Sequence, residues 1–337
     1  AQAYDTNNSE EITTYINPDY EGLNLKTYSP KTYQSKTVEE FDSIEDAAEY
    51  LKKEMVKRSG TISFVVNKSY YSTLAKEIFE KAIEDNGYTN SSEGDYLRAN
   101  WSGYSGNVTY STNYSKITYK MKYLSTYEQE QAVNKEVKKI LDELDVYEKD
   151  DYIKVKAVHD YIVTNINYDY SFTNHSSYNA IVDKSVVCQG FSSITCKILK
   201  ELGIGVRYIT GMGNGGRHAW NIIKLQSYWY NTDNTWDENN SKYGISYKYF
   251  LKGNTEFKLN HTRDSQYNTK EFNTNYPISD ISYVYQGSYK KSISLADVQV
   301  SDQIYTGSGI KPSIIVKLEN IVLKEGSDYT ISYKNNI

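Results

Sequence analysis

The stretch from residue 186 to residue 237 constrains the fold of this 337-residue chain more than any other part. Residues 188–202 place apolar side chains at helical spacing, and Gly203 follows as a helix stop. Residues 217–225 and 228–236 are rich in Trp, Tyr and Ile and predict two strands, with Gln226 and Ser227 as the turn between them. The sequence therefore predicts an α+β unit in which a helix packs on an antiparallel sheet.

The predicted helix begins on a cysteine, Cys188. Unpaired backbone N–H groups at a helix N-terminus carry partial positive charge, which favours a reactive thiolate over the neutral thiol. The second cysteine, Cys196, lies eight residues further on, or about 12 Å along a helix axis. A disulfide needs Cα atoms within about 7 Å, so the two cannot pair within one helix, and we expect Cys196 to be an inert core residue.

The predicted hairpin carries a histidine and an aspartate on one face. If residues 226 and 227 form the turn, cross-strand partners have numbers that sum to 453, because 225 pairs with 228. His218 then faces Thr235, and Asp233 is its diagonal neighbour, within side-chain reach. The same alternation puts Trp220 and Trp229 on this face, which we expect to pack against the helix of Cys188.

A thiol, an imidazole and a carboxylate in this order are the parts of a nucleophilic acyl-transfer site. Each residue also has an ordinary structural interpretation. A lone cysteine is usually a small buried hydrophobe, a strand histidine is more often structural, and Asp233 could hold a turn. The joint pattern, with spacings of 30 and 15 residues, favours catalysis; the alternative is a binding or scaffold module without turnover.

Residues 152–264 resemble the transglutaminase-like superfamily, distant relatives of papain-like cysteine proteases. The matching segments are Lys-Ala-Val-His-Asp-Tyr-Ile-Val (156–163), Asn-Tyr-Asp (167–169), Val-Cys-Gln-Gly-Phe (187–191), His-Ala-Trp-Asn (218–221), Asp-Asn-Thr-Trp-Asp (233–237), Tyr-Lys-Tyr-Phe-Leu (247–251) and His-Thr-Arg-Asp (261–264). The resemblance implies a transglutaminase-like core with Cys188 as nucleophile, His218 as base and acid, and Asp233 as orienting carboxylate. The sequence departs from the usual pattern of that superfamily at Val186 and at the Gln-Ser turn.

The expected substrate is a protein or peptide amide, either a glutamine side chain or a backbone amide. Attack by Cys188 yields a thioester, which a lysine amine or water then resolves. The backbone N–H of Cys188 is the natural first donor to the oxyanion. Tyr178 and Gln189 are weak candidates for the second donor. Trp220 and Trp236 are candidates for the pocket wall, with a position in the core as the equal alternative. Ordinary packing remains the favoured interpretation of Tyr178.

Several other functions are excluded by motif context and composition. Gly211, Gly213 and Gly216 match a dinucleotide fingerprint, but a strand follows them where that fingerprint requires a helix. The four histidines and two cysteines lack metal-ligand spacing, so we expect no metal and no cofactor. A net charge of −5 offers no basic surface for nucleic acid, and no apolar run is long enough for a membrane span.

The chain is predicted to contain four segments. Residues 1–35 are expected to be a loose arm, 36–148 an N-terminal α+β domain, 149–285 the transglutaminase-like catalytic domain, and 286–337 a short all-β segment. Within the second, helices are predicted at 43–57, 73–86 and 127–144, and strands at 61–66 and 107–124. The last segment carries Tyr-Thr-Gly and Gly-Ser-Asp-Tyr-Thr and resembles immunoglobulin-like repeats of Gram-positive surface proteins. A full sandwich needs nearer 100 residues, so we expect this segment to be a partial module of a longer protein. We also expect the protein to be located outside the cell or on the cell wall.

Overall fold

A computed structural model describes residues 8–30, 38–241, 243–285, 296–304, 306–318, 321–325 and 329–333. The chain divides into two compact units, residues 1–283 and 284–337. The predicted subdivision of the first unit at residue 148 stays a prediction. Among the described residues, no helix combines the length and the apolar character needed to cross a bilayer.

The N-terminal part of the first unit is built on a five-stranded sheet of order β1-β4-β5-β3-β2. Its strands are β1 (Asn8–Ile16), β2 (Glu39–Phe41), β3 (Thr61–Val66), β4 (Trp101–Tyr110) and β5 (Ser115–Tyr123). Its helices are α1 (Ile44–Val56), α2 (Leu74–Ala82) and α3 (Asp95–Asn100). The Ser43 side chain accepts from the Asp46 N–H and caps α1, as its sequence predicts. Helix α2 ends earlier than its pattern predicts.

Strand β1 lies in the segment that was expected to be a loose arm. It pairs antiparallel with β4 from Asn8 opposite Tyr110 to Ile16 opposite Gly103. Most of its side chains are exposed, so its sequence lacks the alternation of apolar and polar residues that predicts a strand. Backbone pairing to the edge of β4, rather than burial of its side chains, holds it in place.

The second part of this unit surrounds a four-stranded antiparallel sheet of order β10-β9-β8-β11. These strands are β8 (Val206–Gly213), β9 (Gly216–Leu225), β10 (Tyr228–Thr232) and β11 (His261–Arg263); β6 (Asn167–Tyr168) and β7 (Ser185–Val186) form a separate parallel pair. The helices are α4 (Tyr127–Leu144), α5 (Asp151–Asn165), α6 (Cys188–Glu201), α7 (Asn234–Asn240), α8 (Asn254–Phe257) and α9 (Lys270–Asn275). The predicted α+β class, with a helix bearing Cys188 on an antiparallel sheet, is confirmed.

The predicted register of the β9–β10 hairpin is confirmed, but its length is not. Tyr228 pairs with Leu225 and Thr232 with Asn221, which keeps the sum of 453. The strand then stops, and α7 begins at Asn234 with Asp233 as its N-cap. The predicted pairing of His218 with Thr235 is therefore wrong. The capping preference of Asp233 outweighs the strand pattern that continues beyond it.

The expectation that Trp220 and Trp229 pack against the cysteine's helix is also wrong. Both belong to a cluster with Ile209, Tyr249 and Phe257. The alternate residues of the hairpin, such as Ala219 and Ile223, share the main core with the residues of α6. Because side chains alternate across a strand, helix α6 covers the opposite face from the one that the tryptophans occupy.

A buried ion cluster joins α3 to β8. The Asp95 carboxylate accepts hydrogen bonds from Arg207 Nε at 2.7 Å, from the Tyr208 backbone N–H at 2.8 Å and from Arg98 Nη2 at 3.2 Å. Burial would raise the pKa of Asp95, but the two guanidinium groups hold it well below its usual range. The N-terminal sheet region is thus tied by charge to the sheet that carries His218.

The second unit contains a small antiparallel sheet of order β12-β13-β14. Its strands are β12 (Asp297–Val300), β13 (Ile314–Leu318) and β14 (Ile321–Val322). The strand predicted at 311–316 overlaps β13. Residues 305 and 326–328, which belong to two other predicted strands, lie outside the described residues. The immunoglobulin-like assignment stays a prediction.

Candidate active site

Cys188 is the first residue of α6, as the helical spacing predicts. Val187 precedes it as the N-cap and offers no side chain to accept the first N–H groups of the helix. The thiol is buried, and its Sγ donates a hydrogen bond to Oε1 of Gln189 at 3.3 Å. Cys196 is fully buried and is also a free cysteine, and burial raises the pKa of its thiol. The two cysteines thus differ in environment as expected.

The imidazole of His218 connects the thiol to a carboxylate. Its Nε2 lies 2.7 Å from Oδ2 of Asp233. Cys188 is close enough to raise the pKa of this ring. Because Nε2 faces Asp233, Nδ1 is the ring nitrogen that remains for the sulfur. The other carboxylate oxygen, Oδ1, accepts from the Trp236 N–H and caps α7. The structure therefore brings Cys188, His218 and Asp233 together, although Asp233 does so from a helix cap rather than from a strand.

Two asparagine side chains hold helix α6 against the elements that carry His218 and Asp233. Nδ2 of Asn221, in β9, donates to the Ser192 carbonyl of α6 at 3.0 Å. Nδ2 of Asn234, in α7, donates to Oγ1 of Thr195 at 2.8 Å. All four groups are buried, so these bonds are protected from competition by water. They hold the N-terminal half of α6 in one position relative to His218 and Asp233.

Burial and neighbouring charge shift the pKa values of His218 and Asp233 in opposite directions. Burial of His218 would lower its pKa, but the Asp233 carboxylate and the hydrogen bonds to Asp233 and Cys188 raise it to about 10. Burial of Asp233 would raise its pKa, but the two imidazoles beside it lower it to about 2. At neutral pH the arrangement therefore favours an imidazolium beside a carboxylate, which is the charge state that can stabilise a neighbouring thiolate.

A second imidazole, that of His261, lies on the same carboxylate. Its Nε2 is 3.1 Å from Oδ2 of Asp233, and its ring stacks on Phe257 with centroids 3.8 Å apart. Burial lowers its pKa despite the contact with Asp233. The sequence placed His261 only in a motif of the family resemblance. Its role was missed because β11 reaches Asp233 through pairing with β8, which local spacing does not reveal.

The same three side chains are the candidate metal ligands of the structure. Ligand atoms of His218, Asp233 and His261 all lie within 4.8 Å of one another, and this is the one such cluster among the residues that the structure describes. The ligand atoms of both imidazoles already face the Asp233 carboxylate as hydrogen-bond partners. The geometry is therefore accounted for by hydrogen bonding, and the expectation of no metal stays a prediction.

A cleft of ≈ 900 Å³ opens beside the sulfur. Cys188 and Gln189 line it from the start of α6, and Val187 from the N-cap. Arg217 lines it from β9, and Asp264 from the residue that follows β11. The N-terminal segment supplies a further wall through Pro18, Asp19, Glu21 and Leu23. The sequence pattern does not reveal this wall, because it lies about 170 residues from Cys188 in a segment whose polar composition predicts a loose arm.

The four predicted pocket residues have different positions. Gln189 lines the cleft. Tyr178 packs against the main core. The indoles of Trp236 and Trp220 stack on the His218 ring, with centroid distances of 5.1 Å and 6.1 Å. The two tryptophans therefore pack on the imidazole, and Trp220 is buried, as the core interpretation of that residue has it.

The glycines that match a dinucleotide fingerprint belong to the β8–β9 hairpin. Gly211 and Gly213 lie in β8, and Gly216 begins β9. A Cβ at Gly213 would lie 2.9 Å from the Trp236 ring and 3.0 Å from the His218 ring. The absence of a side chain at Gly213 thus allows the strand to approach the imidazole closely.

Part of the chain is similar to a known family and to solved structures. Residues 138–234 match the family model described as the transglutaminase-like superfamily. No curated protein matches the chain. Two solved structures are similar: a putative cysteine protease from Cytophaga hutchinsonii (20% identity, 40% of this chain and 58% of that chain, TM-score 0.28) and a TGase (15% identity, 56% of this chain and 55% of that chain, TM-score 0.31). This chain thus spans little more than half the length of either. Residues 138–234 are therefore similar to a transglutaminase-like domain.

Proposed function

We propose that this protein catalyses acyl transfer or hydrolysis on protein and peptide amides, with Cys188 as nucleophile, His218 as base and acid, and Asp233 as orienting carboxylate. The observation that carries the proposal is the position of His218, whose Nε2 lies 2.7 Å from the buried Asp233 carboxylate and whose pKa is raised by both Asp233 and the neighbouring Cys188. A scaffold that merely kept the fold would have no need of an imidazole held in its charged form beside a free thiol.

The reaction starts from the ion pair in which the thiol proton of Cys188 already resides on Nδ1 of His218. The resulting thiolate attacks the amide carbonyl carbon, and the C=O electron pair moves to oxygen. The N–H of Cys188, at the start of α6, donates to this oxyanion, since helix N-termini present unpaired N–H groups. His218 then protonates the departing nitrogen as the C–N bond breaks, and a thioester and a free amine or ammonia result.

The thioester is resolved by a second nucleophile. Water or a primary amine such as a lysine side chain attacks the carbonyl carbon, and His218 accepts a proton from it. The C–S bond then breaks, the sulfur recovers its proton, and the product is an acid or a new amide. Asp233 stays ionised throughout, since its pKa is held near 2 by the imidazoles.

Because residues 293–337 resemble the repeats of surface proteins, we propose that this reaction takes place on the outside of a Gram-positive cell.

Alkylation of Cys188 by iodoacetamide tests the proposal without knowledge of the substrate. At pH 6 we expect stoichiometric labelling of Cys188 in the native protein, and a rate roughly tenfold lower in His218→Ala, because an unassisted thiol is scarcely ionised at that pH. Cys196 is the internal control, since burial raises the pKa of its thiol and should keep it unlabelled. The quantity measured is the second-order rate, by mass spectrometry.

A native protein whose labelling rate rises only towards pH ~8.5, as for an ordinary thiol, would contradict the proposal and favour the scaffold interpretation. The fate of the acyl group is decided separately. Incorporation of a labelled primary amine into a glutamine-containing protein identifies a transferase. Peptide cleavage or ammonia release without incorporation identifies a hydrolase. Cys188→Ala is the control for both assays.

A further inference from the structure

A third imidazole near the sulfur, that of His175, takes no part in the triad. His175 lines the same cleft as Cys188 and is only 6% exposed. Its Nε2 lies 3.1 Å from the backbone carbonyl of Phe172, which can only accept a hydrogen bond. The proton of the neutral ring therefore sits on Nε2, and Nδ1 is left as an acceptor.

The loop that carries this contact is tightly organised. The Asp169 carboxylate accepts hydrogen bonds from the backbone N–H groups of Ser171, Thr173 and Asn174, at 2.9, 2.9 and 2.8 Å. These bonds fix the loop on which Phe172 lies, and so the carbonyl that sets the tautomer of His175. Burial further lowers the pKa of His175, which keeps its ring neutral.

The Nδ1 atom of His175 is buried and has no hydrogen-bond partner. A buried acceptor without a donor costs free energy, so such an atom calls for an explanation. The side chain of Gln189 is close enough to act on the pKa of this histidine. In the thiol form of the site, however, Oε1 of Gln189 is committed to accepting from Cys188 Sγ.

Ionisation of Cys188 reverses what Gln189 must provide. Once the thiol proton has moved to His218, the sulfur is an acceptor, and the Oε1 lone pairs that faced its proton now face negative charge. A half-turn of the carboxamide exchanges Oε1 for Nε2, which carries two N–H donors. One N–H can then point to the sulfur, and the other can supply the donor that His175 Nδ1 lacks.

We propose that His175 is a positioning residue that accepts a hydrogen bond from Gln189 and thereby turns the Gln189 amide into a donor to the Cys188 thiolate. The inference rests on the proposed function, because it assigns a device for stabilising the nucleophile of that site. No atom is gained or lost in the step; the proton that leaves sulfur resides on His218. His175 acts only through Gln189 and does not touch the reacting carbonyl.

A double-mutant cycle on the alkylation rate at pH 6 tests this coupling. His175→Phe keeps a ring against Tyr20, which His175 meets edge to face with centroids 5.9 Å apart, but removes the acceptor. Gln189→Met removes the donor at similar volume. We expect each variant to alkylate Cys188 about tenfold more slowly than the native protein, and the double variant to be no slower than Gln189→Met. His175→Asn, which can place an oxygen near the former Nδ1, should stay within about threefold of native.

Equal rates in His175→Phe and the native protein would overturn the inference, as would a double variant slowed by the product of the two single effects. Should His175→Phe fail to fold, an NMR measurement on the native protein decides. A scalar coupling between Gln189 Nε2 and His175 Nδ1 is expected across their hydrogen bond in the thiolate form, and its absence contradicts the proposal. A native thiol without activation at pH 6 would instead defeat the proposed function itself, and this inference with it.

Discussion

Replacing Asp233 with alanine is expected to destabilise the protein by about 3–5 kcal/mol, because it leaves a buried imidazolium without its counter-charge. The same change removes the N-cap of α7 and the partner of His261. We also expect the activated alkylation of Cys188 at pH 6 to disappear. Urea denaturation and the labelling rate measure the two effects. A variant that stays within 0.5 kcal/mol of native, at roughly the scatter of neutral surface changes, and labels normally would contradict this role.

Asp233→Asn is the matched control for the charge. Asparagine can still cap α7, so the helix should persist. With the carboxylate gone, burial dominates and the pKa of His218 should fall, with a loss of amide turnover of about 10³–10⁴.

The contribution of Asp233 to the free energy of unfolding has a defined pH window. Because its folded pKa is lowered to about 2, the contribution is present above the unfolded value of about 3.9 and is lost as pH falls through 2.

Replacing Asp95 with alanine is expected to cost about 3–5 kcal/mol as well, for a structural reason. The variant leaves Arg207 and Arg98 largely buried without the carboxylate that both contact. It also leaves the Tyr208 backbone N–H without its acceptor. Equilibrium unfolding in urea measures the change. We expect the loss to weaken the link between α3 and the sheet that carries His218.

The control for Asp95 is an exposed ion pair of the same chain. Lys138 and Asp142 lie 2.9 Å apart on α4, with side chains 73% and 53% exposed. Asp142→Ala should leave the free energy of unfolding unchanged within the error of the urea titration, because water and salt screen such pairs. Equal costs for the two substitutions would show that burial of the Asp95 cluster does not determine its contribution.

The local parts of the site could be predicted from the sequence. The helix that begins at Cys188 follows from apolar spacing and from the stop at Gly203. The hairpin register follows from a two-residue turn, and Gln226 indeed adopts a positive φ of 56° there. Both features depend on residues that are neighbours in the chain, so the pattern contains the information that fixes them.

The predicted end of β10 was wrong because a strand pattern and a helix-capping preference compete at the same residues. Residues 233–236 continue the strand-like pattern, yet Asp233 is a preferred N-cap residue. The cap prevails, and a helix begins where the strand was expected to continue. Asp233 nevertheless reaches His218, because its position one residue beyond the strand still directs the carboxylate to the imidazole.

The remaining parts of the site depend on contacts between distant residues. His261 reaches Asp233 because a three-residue strand pairs with β8. The cleft wall at residues 18–23 depends on a polar segment far from Cys188. The faces of the hairpin depend on which layer covers each side, and the alternation of apolar residues does not say which. Long-range pairing and layer order are the information that a local pattern lacks.

The most direct test of the account is an NMR titration of the His218 ring nitrogens in the native protein. A raised pKa means that the proton is retained until the pH passes through the folded value, so both nitrogens should stay protonated at pH 8 and lose a proton only near pH 10. His218 that becomes neutral near its ordinary value of about 6.5, with no response to Asp233→Asn, would contradict the claim that the carboxylate holds a charged imidazole beside the thiol.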